Sequence, residues 1–322
     1  MDGGSSIHRT FGSKSNAEFV SSLRSNLDEQ SSYEHTNGET NGNGNGATTP
    51  AKSHYKTWTK LSSDGKELQI PSLELANSGL EEEREQYDIT LKLFYLPGGS
   101  NDSASRTTQT REAINLVLKE LGISSVDLLI VSFPGIYFDE QEDCPSKIST
   151  RGPVESEPEG IDNILESWKA VEALKDEGLV NKLGVAEFGA ERLAMFLEGT
   201  TRRPMVNQIN LRDCCSVPRD LLTLAKSKGV ELLVHNDCSN ILPRGTLREL
   251  LGPDGAGVLA PSTKLGDKRK SLHGEGQTNG MNDQASLQGE VQPQWVVKYT
   301  AVVKNRGIVE NKGYFACAEL EN

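Results

Sequence analysis

Between residues 88 and 235, short runs of β-branched and aliphatic residues alternate with stretches of helical period, and this alternation restricts the chain to a parallel α/β architecture. Residues 88–96 read as a strand. The stretch after it places Ala113, Ile114, Val117, Leu118 and Leu121 on one helical face and stops at Gly122. Residues 126–133 form a buried strand. Ile161, Ile164, Leu165, Trp168, Val171 and Leu174 then recur at helical spacing, with Glu166, Lys169, Glu172 and Lys175 outward and Gly178 at the end. Strands at 182–188, 205–211 and 230–235 follow, separated by a helix over 191–197 and another opened by Pro218. Farther on, residues 295–303 read as a helix and 307–309 as the start of a last strand. Six parallel strands are expected, two short of a closed eight-stranded barrel, and residues 55–61 and 68–75 are the available sources of the rest. No strand leads into a Gly-x-Gly-x-x-Gly turn, which counts against an open doubly wound sheet. The fold class expected is α/β, a (β/α)8 TIM barrel.

Two segments stand outside this pattern. Residues 1–53 are dominated by Ser, Asn, Gly, Thr and charge, including the run Asn41-Gly42-Asn43-Gly44-Asn45-Gly46, and are too polar to order through burial. Phe19, Val20 and Leu23 are the exception and can line a short amphipathic helix. Residues 252–293 form a second low-complexity stretch, read as a disordered insertion, whose Lys268-Arg269-Lys270 cluster is either a recognition signal or plain solvated charge. The barrel is thus assigned to residues 54–251 and 294–322. A net charge of -12 with no basic stripe argues against nucleic acid and anionic membranes as partners. The expected location is cytoplasmic, since residues 1–24 lack a signal-peptide apolar stretch and no apolar run reaches the roughly 20 residues of a membrane span. Five cysteines without a C-x-x-C motif suggest reduced thiols rather than a disulfide framework or zinc site.

Three runs carry a resemblance. Val206-Asn207-Gln208-Ile209-Asn210-Leu211-Arg212-Asp213-Cys214-Cys215-Ser216-Val217-Pro218, then Glu231-Leu232-Leu233-Val234-His235-Asn236-Asp237, then the stretch from Tyr299 to Tyr314 resemble glutamate–cysteine ligase regulatory (modifier) subunits. The similarity covers residues 88–320 apart from the insertion, and the same positions resemble a remote aldo-keto reductase. The barrel implied is therefore of aldo-keto reductase type.

Such reductases place an Asp, Tyr, Lys and His around a nicotinamide, the Tyr acting as proton donor. By resemblance, Lys92 stands at the lysine position and Gln208 at that of a glutamine holding the carboxamide. Ser132 replaces the histidine, Ala186 and Glu187 replace the Ser and Asn that hold the carboxamide, and His235 replaces a ring-stacking tyrosine. No segment before residue 88 supplies the Asp and Tyr, and Val309-Glu310-Asn311-Lys312 stands in place of the phosphate-gripping Pro-Lys-Ser.

The resemblance therefore implies no catalytic residues and no cofactor, and it implies a heterodimer with the ligase catalytic subunit in glutathione biosynthesis. Such subunits raise the catalytic chain's apparent affinity for glutamate and relieve inhibition by glutathione. The alternative is a working NADPH-dependent oxidoreductase resting on Lys92 and Gln208. Cys214 and Cys215, after a strand end, are candidates for redox sensing or for packing. His235, Asp237 and Cys238 share one strand end but offer a single imidazole, so no metal is expected. Lys304, Arg306 and Lys312 form a basic group that can grip an acidic patch on a partner or a phosphate, or merely be solvated.

Overall fold

The computed structural model of the chain describes residues 17–32, 54–73, 79–138, 156–211, 216–237, 241–261 and 286–321. In chain order its helices and strands are α1 (Ala17–Ser32), β1 (Lys60–Leu61), β2 (Leu68–Gln69), β3 (Tyr87–Tyr95), α2 (Ser103–Leu121), β4 (Val126–Ser132), α3 (Ile161–Asp176), β5 (Val180–Ala186), α4 (Ala190–Gly199), β6 (Val206–Ile209), α5 (Arg219–Lys228), β7 (Glu231–Val234), α6 (Thr246–Leu251), β8 (Glu290–Val303) and β9 (Ile308–Glu321). They fall into two compact units. One comprises Met1–Phe19, Glu74–Pro243 and Pro293–Ala318; the other comprises Val20–Leu73, Arg244–Gln292 and Glu319–Asn322.

The first unit is built on one sheet of order β7-β6-β5-β4-β3-β8-β9. Strands β3 to β7 are parallel and lie side by side in sequence order. Right-handed crossovers between consecutive neighbours put every connecting helix on the same face, and α2 to α5 do pack each against the next. This is the winding of a barrel rather than of a doubly wound sheet, where the strand order reverses. The sheet is not closed: β7 and β9 are its two ends, and among the described residues no pairing joins them.

Period-two burial explains the core. Tyr87, Ile89, Leu91, Leu93 and Tyr95 of β3 face Ala113, Ile114 and Val117 of α2 and Ile164, Trp168 and Val171 of α3. Thr90, Lys92 and Phe94 therefore project from the other face. Helix α2 starts at Asp102, whose side chain accepts from the Ser105 amide at 2.9 Å, and ends at Gly122 with φ +64°, a left-handed cap open to glycine. Trp168 meets the Phe196 ring edge-on at 5.0 Å and donates its indole N–H to the Arg202 carbonyl at 2.9 Å.

The C-terminal stretch differs from its sequence reading. Residues 295–303 are not a helix but lie in β8, which runs antiparallel to β3 from Tyr87↔Val303 to Tyr95↔Trp295. Five of those nine residues are β-branched, and Trp295, Val297, Tyr299, Ala301 and Val303 alternate onto the core. The pattern misleads because Val296 and Val302 on the opposite face are also apolar, leaving only Lys298 and Thr300 to mark the period. The last strand does begin near Gly307, but as β9, beside β8 in a hairpin turned at Lys304–Gly307 rather than as a sixth parallel strand.

The second unit has its own small core of Leu27, Tyr55, Trp58, Leu250, Leu251, Val258 and Leu259. Phe19, Val20 and Leu23 do fall on a helix, α1, as their spacing suggests. Among the described residues, strands β1 and β2 pair only with each other and add nothing to the large sheet. Of the stretch read as an insertion, residues 262–285 lie outside the described residues, whereas Ala256, Val258, Leu259 and Ala260 are buried. Among the described residues no helix is long and apolar enough to cross a membrane.

Replacing a fully buried sheet residue should cost far more than replacing an exposed helix residue of the same type. Leu129→Ala, at 0% exposure, is expected to lower unfolding free energy by about 2–5 kcal/mol, and Leu222→Ala, at 47%, by about 0.5 kcal/mol or less, read from urea titrations.

Candidate functional site

Lys92 and Lys298 are register partners on adjacent strands, so their side chains leave the same face of the sheet side by side. Like charges directly opposed across a ladder repel. Asp237, three residues beyond β7, resolves the conflict by lying between them, with Oδ1 2.7 Å from the Lys298 amine and Oδ2 3.3 Å from that of Lys92. Asn210 holds the Asp237 backbone in place by donating to its carbonyl at 3.0 Å.

His235 completes the cluster. Its Nδ1 accepts from the Asp237 amide at 3.0 Å and lies 3.2 Å from the Lys92 amine. That leaves the ring proton on Nε2, which is hydrogen-bonded to Glu187 Oε1. The second Glu187 oxygen accepts from the Phe138 amide at 2.9 Å, so both lone oxygens of this buried carboxylate are used. Glu187 occupies the left-handed region, with φ +69°, at a cost of roughly 1–2 kcal/mol for a residue with a Cβ. Its neighbours hold it there. The Glu187 amide donates to the Gln208 carbonyl at 2.8 Å, and Asn207 clamps Phe188 by donating to its carbonyl at 2.7 Å.

Electrostatics follow from burial and pairing. Burial alone would raise the Asp237 carboxyl, but the Lys92 and Lys298 amines outweigh it and hold the group at about 2. Burial pulls the Lys92 amine below the ordinary lysine value, Lys298 adding to the fall while Asp237 and Glu187 oppose it. Lys298 is raised: burial lowers it, but the attraction and hydrogen bond of Asp237 win. The carboxylate therefore stays ionised at neutral pH, and its charge is what permits two amines on one face.

Of the residues singled out from sequence, Lys92, His235 and Asp237 are thus in mutual contact. Gln208 lies on the same face, and its side-chain oxygen is buried without a hydrogen-bond partner among the described residues. Cys214, Cys215 and Cys238 lie outside the described residues. Lys304, Arg306 and Lys312, the expected basic group, are each paired within the chain. Each faces a carboxylate of this chain: Lys304 is 3.7 Å from Asp88, Arg306 3.1 Å from Glu82 and Lys312 2.6 Å from Glu18. Among the described residues no group of three or more His, Cys, Asp or Glu side chains is arranged so that it could hold a metal ion. With residues 295–303 read as a helix, Lys298 has no place beside Lys92. Read with a period of two, it falls on the same face as Val296 and Thr300, a polar mark weakened by the valines beside it.

With this geometry in hand, residues 69–248 match the model of the aldo/keto reductase family. The chain belongs to that family. Within it, the chain is similar to glutamate–cysteine ligase regulatory subunits: it is 26% identical to the Bos taurus protein of that name over 242 residues, 74% of this chain and 68% of that one, and equally to the Homo sapiens protein. A crystal structure of a Bombyx mori aldo-keto reductase in complex with NADP aligns at 21% identity with a TM-score of 0.32, covering 46% of this chain. The chain spans 40% of that reductase.

The cluster has a consequence for acid stability. Because the folded-state value of Asp237 lies below its ordinary 3.8, the stabilisation it supplies is complete above about pH 4 and is lost as pH falls towards about 2. The shift corresponds to roughly 2 kcal/mol. Asp237→Asn should remove this component, so its urea midpoint is expected to fall less steeply than that of the wild type between pH 4 and 2. Identical slopes would mean that Asp237 is not the group responsible.

Proposed function

We propose that the chain is a non-catalytic, cytoplasmic subunit that binds the glutamate–cysteine ligase catalytic subunit as a heterodimer and modulates its response to glutamate and glutathione. The supporting observation is the bond between Glu187 and His235. By resemblance these are the positions that would hold the carboxamide and stack on the ring of a nicotinamide. Here each is satisfied by the other, and the same histidine braces Lys92. On this reading a nicotinamide held at those positions would have to part a buried pair, which leaves an ionisable group uncompensated and typically costs about 3–5 kcal/mol. The relatives named as regulatory subunits of the ligase supply the partner.

Regulation requires contact that differs between two states of the catalytic chain. A rigid α/β scaffold offers such a surface without chemistry of its own. Mixing the purified chain with the purified catalytic subunit is expected to lower the glutamate concentration for half-maximal rate, and to raise the glutathione concentration for half-inhibition, by about fivefold or more. No change in either quantity, with no complex in sedimentation, would overturn the reading.

One observation favours the oxidoreductase alternative: the unpartnered oxygen of Gln208 is what a carboxamide-binding glutamine would present. NADPH titrated into the chain alone separates the two readings. The regulatory reading expects no saturable fluorescence change and no turnover of simple aldehydes, whereas enzyme-like rates would establish the alternative.

A further inference from the structure

The exposed side of the two-lysine cluster is occupied by residues from far away in sequence. Phe19, 1% exposed, sets its ring 4.8 Å from that of Tyr314 on β9. Beside it Glu18 Oε1 lies 2.6 Å from the Lys312 amine. Lys298, with its side chain 25% exposed and its amine 5.9 Å from the Tyr314 ring, also feels the Glu18 charge. An acidic residue followed by an aromatic one thus meets two amines flanking a phenol, and the two surfaces match in charge and in apolar character.

We propose that Lys298, Lys312 and Tyr314 form a binding site for an acidic–aromatic peptide segment, and that Glu18–Phe19 is its built-in occupant, a latch that a partner segment of the same chemistry displaces. Two magnitudes make the latch removable. The Glu18–Lys312 pair is about half exposed at both ends, and such pairs contribute little. Most of the holding force comes from one aromatic side chain, which an incoming aromatic can replace one for one. Exposed acid near a helix start is favoured by the helix dipole alone, but the dipole does not dictate a lysine partner or the burial of the next residue against a tyrosine. The assignment stands apart from the regulatory reading, because it can be tested on this chain without the ligase.

The test uses the full chain and a labelled octapeptide with the sequence of residues 17–24, Ala-Glu-Phe-Val-Ser-Ser-Leu-Arg. The double variant Glu18→Ala/Phe19→Ala should bind the peptide at least about tenfold more tightly than the wild type, whose site is filled. A peptide with Gln and Ala in place of Glu and Phe should not bind. In parallel, acylation of Lys312 and Lys298 read by mass spectrometry should rise in the double variant and fall again when peptide is added. Should that variant not fold, a charge exchange serves: Glu18→Lys frees the latch and raises Lys298 acylation, and adding Lys312→Glu restores protection. Equal peptide binding by wild type and double variant, or acylation unmoved by every variant, overturns the proposal. Protection that grows with protein concentration also overturns it, since the occupant would then come from a second copy.

Discussion

Two lysines placed side by side on neighbouring strands are an unstable arrangement unless an anion stands between them, and Asp237 is that anion. Much of the surrounding geometry follows from this requirement. The segment after β7 must bring residue 237 back over the sheet, so Asn210 anchors its carbonyl and its amide is spent on His235. That imidazole is oriented as a result, with one nitrogen accepting and the other directed at Glu187. The chain from Lys298 through Asp237 and His235 to Glu187 thereby ties the hairpin, the β7 edge and the end of β5 together through side chains, across a sheet that backbone pairing leaves open.

The scaffold is that of a reductase family, yet its polar groups are turned on one another. A reductase needs side chains that wait for a cofactor and a substrate, and waiting groups must tolerate partial satisfaction. In this chain Lys92, Glu187, His235 and Asp237 are satisfied internally, and Gln208 is the exception. A face spent on internal bonds is suited to holding a shape. This is consistent with a molecule whose influence is exerted from its surface.

How much of this could be read from sequence depended on the contrast between faces. Strands β3 to β7 and helices α2 to α5 were legible because each helix carries one apolar stripe and each connection carries a Gly or Pro signal at its ends, as Gly122, Gly178 and Pro218 show. Strand β8 was not, because burial on both faces erased the alternation at Val296 and Val297. The same masking conceals Lys298. Lys92, His235 and Asp237 were found as separate residues, but their meeting depends on a loop course and a strand register that no local pattern encodes. The left-handed backbone at Glu187 was illegible for a related reason: glutamate gives no hint of that conformation, which is imposed by Asn207, Gln208 and Phe138 from other elements.

The strained backbone at Glu187 also bears on how this lineage can change. Asparagine would relax the main chain there, yet on its own it would strand the Phe138 amide and the imidazole of His235, both of which currently depend on the carboxylate. Changing His235 first would abandon a buried anion instead. Neither single replacement leaves the site satisfied, so the two residues are expected to be kept or replaced together.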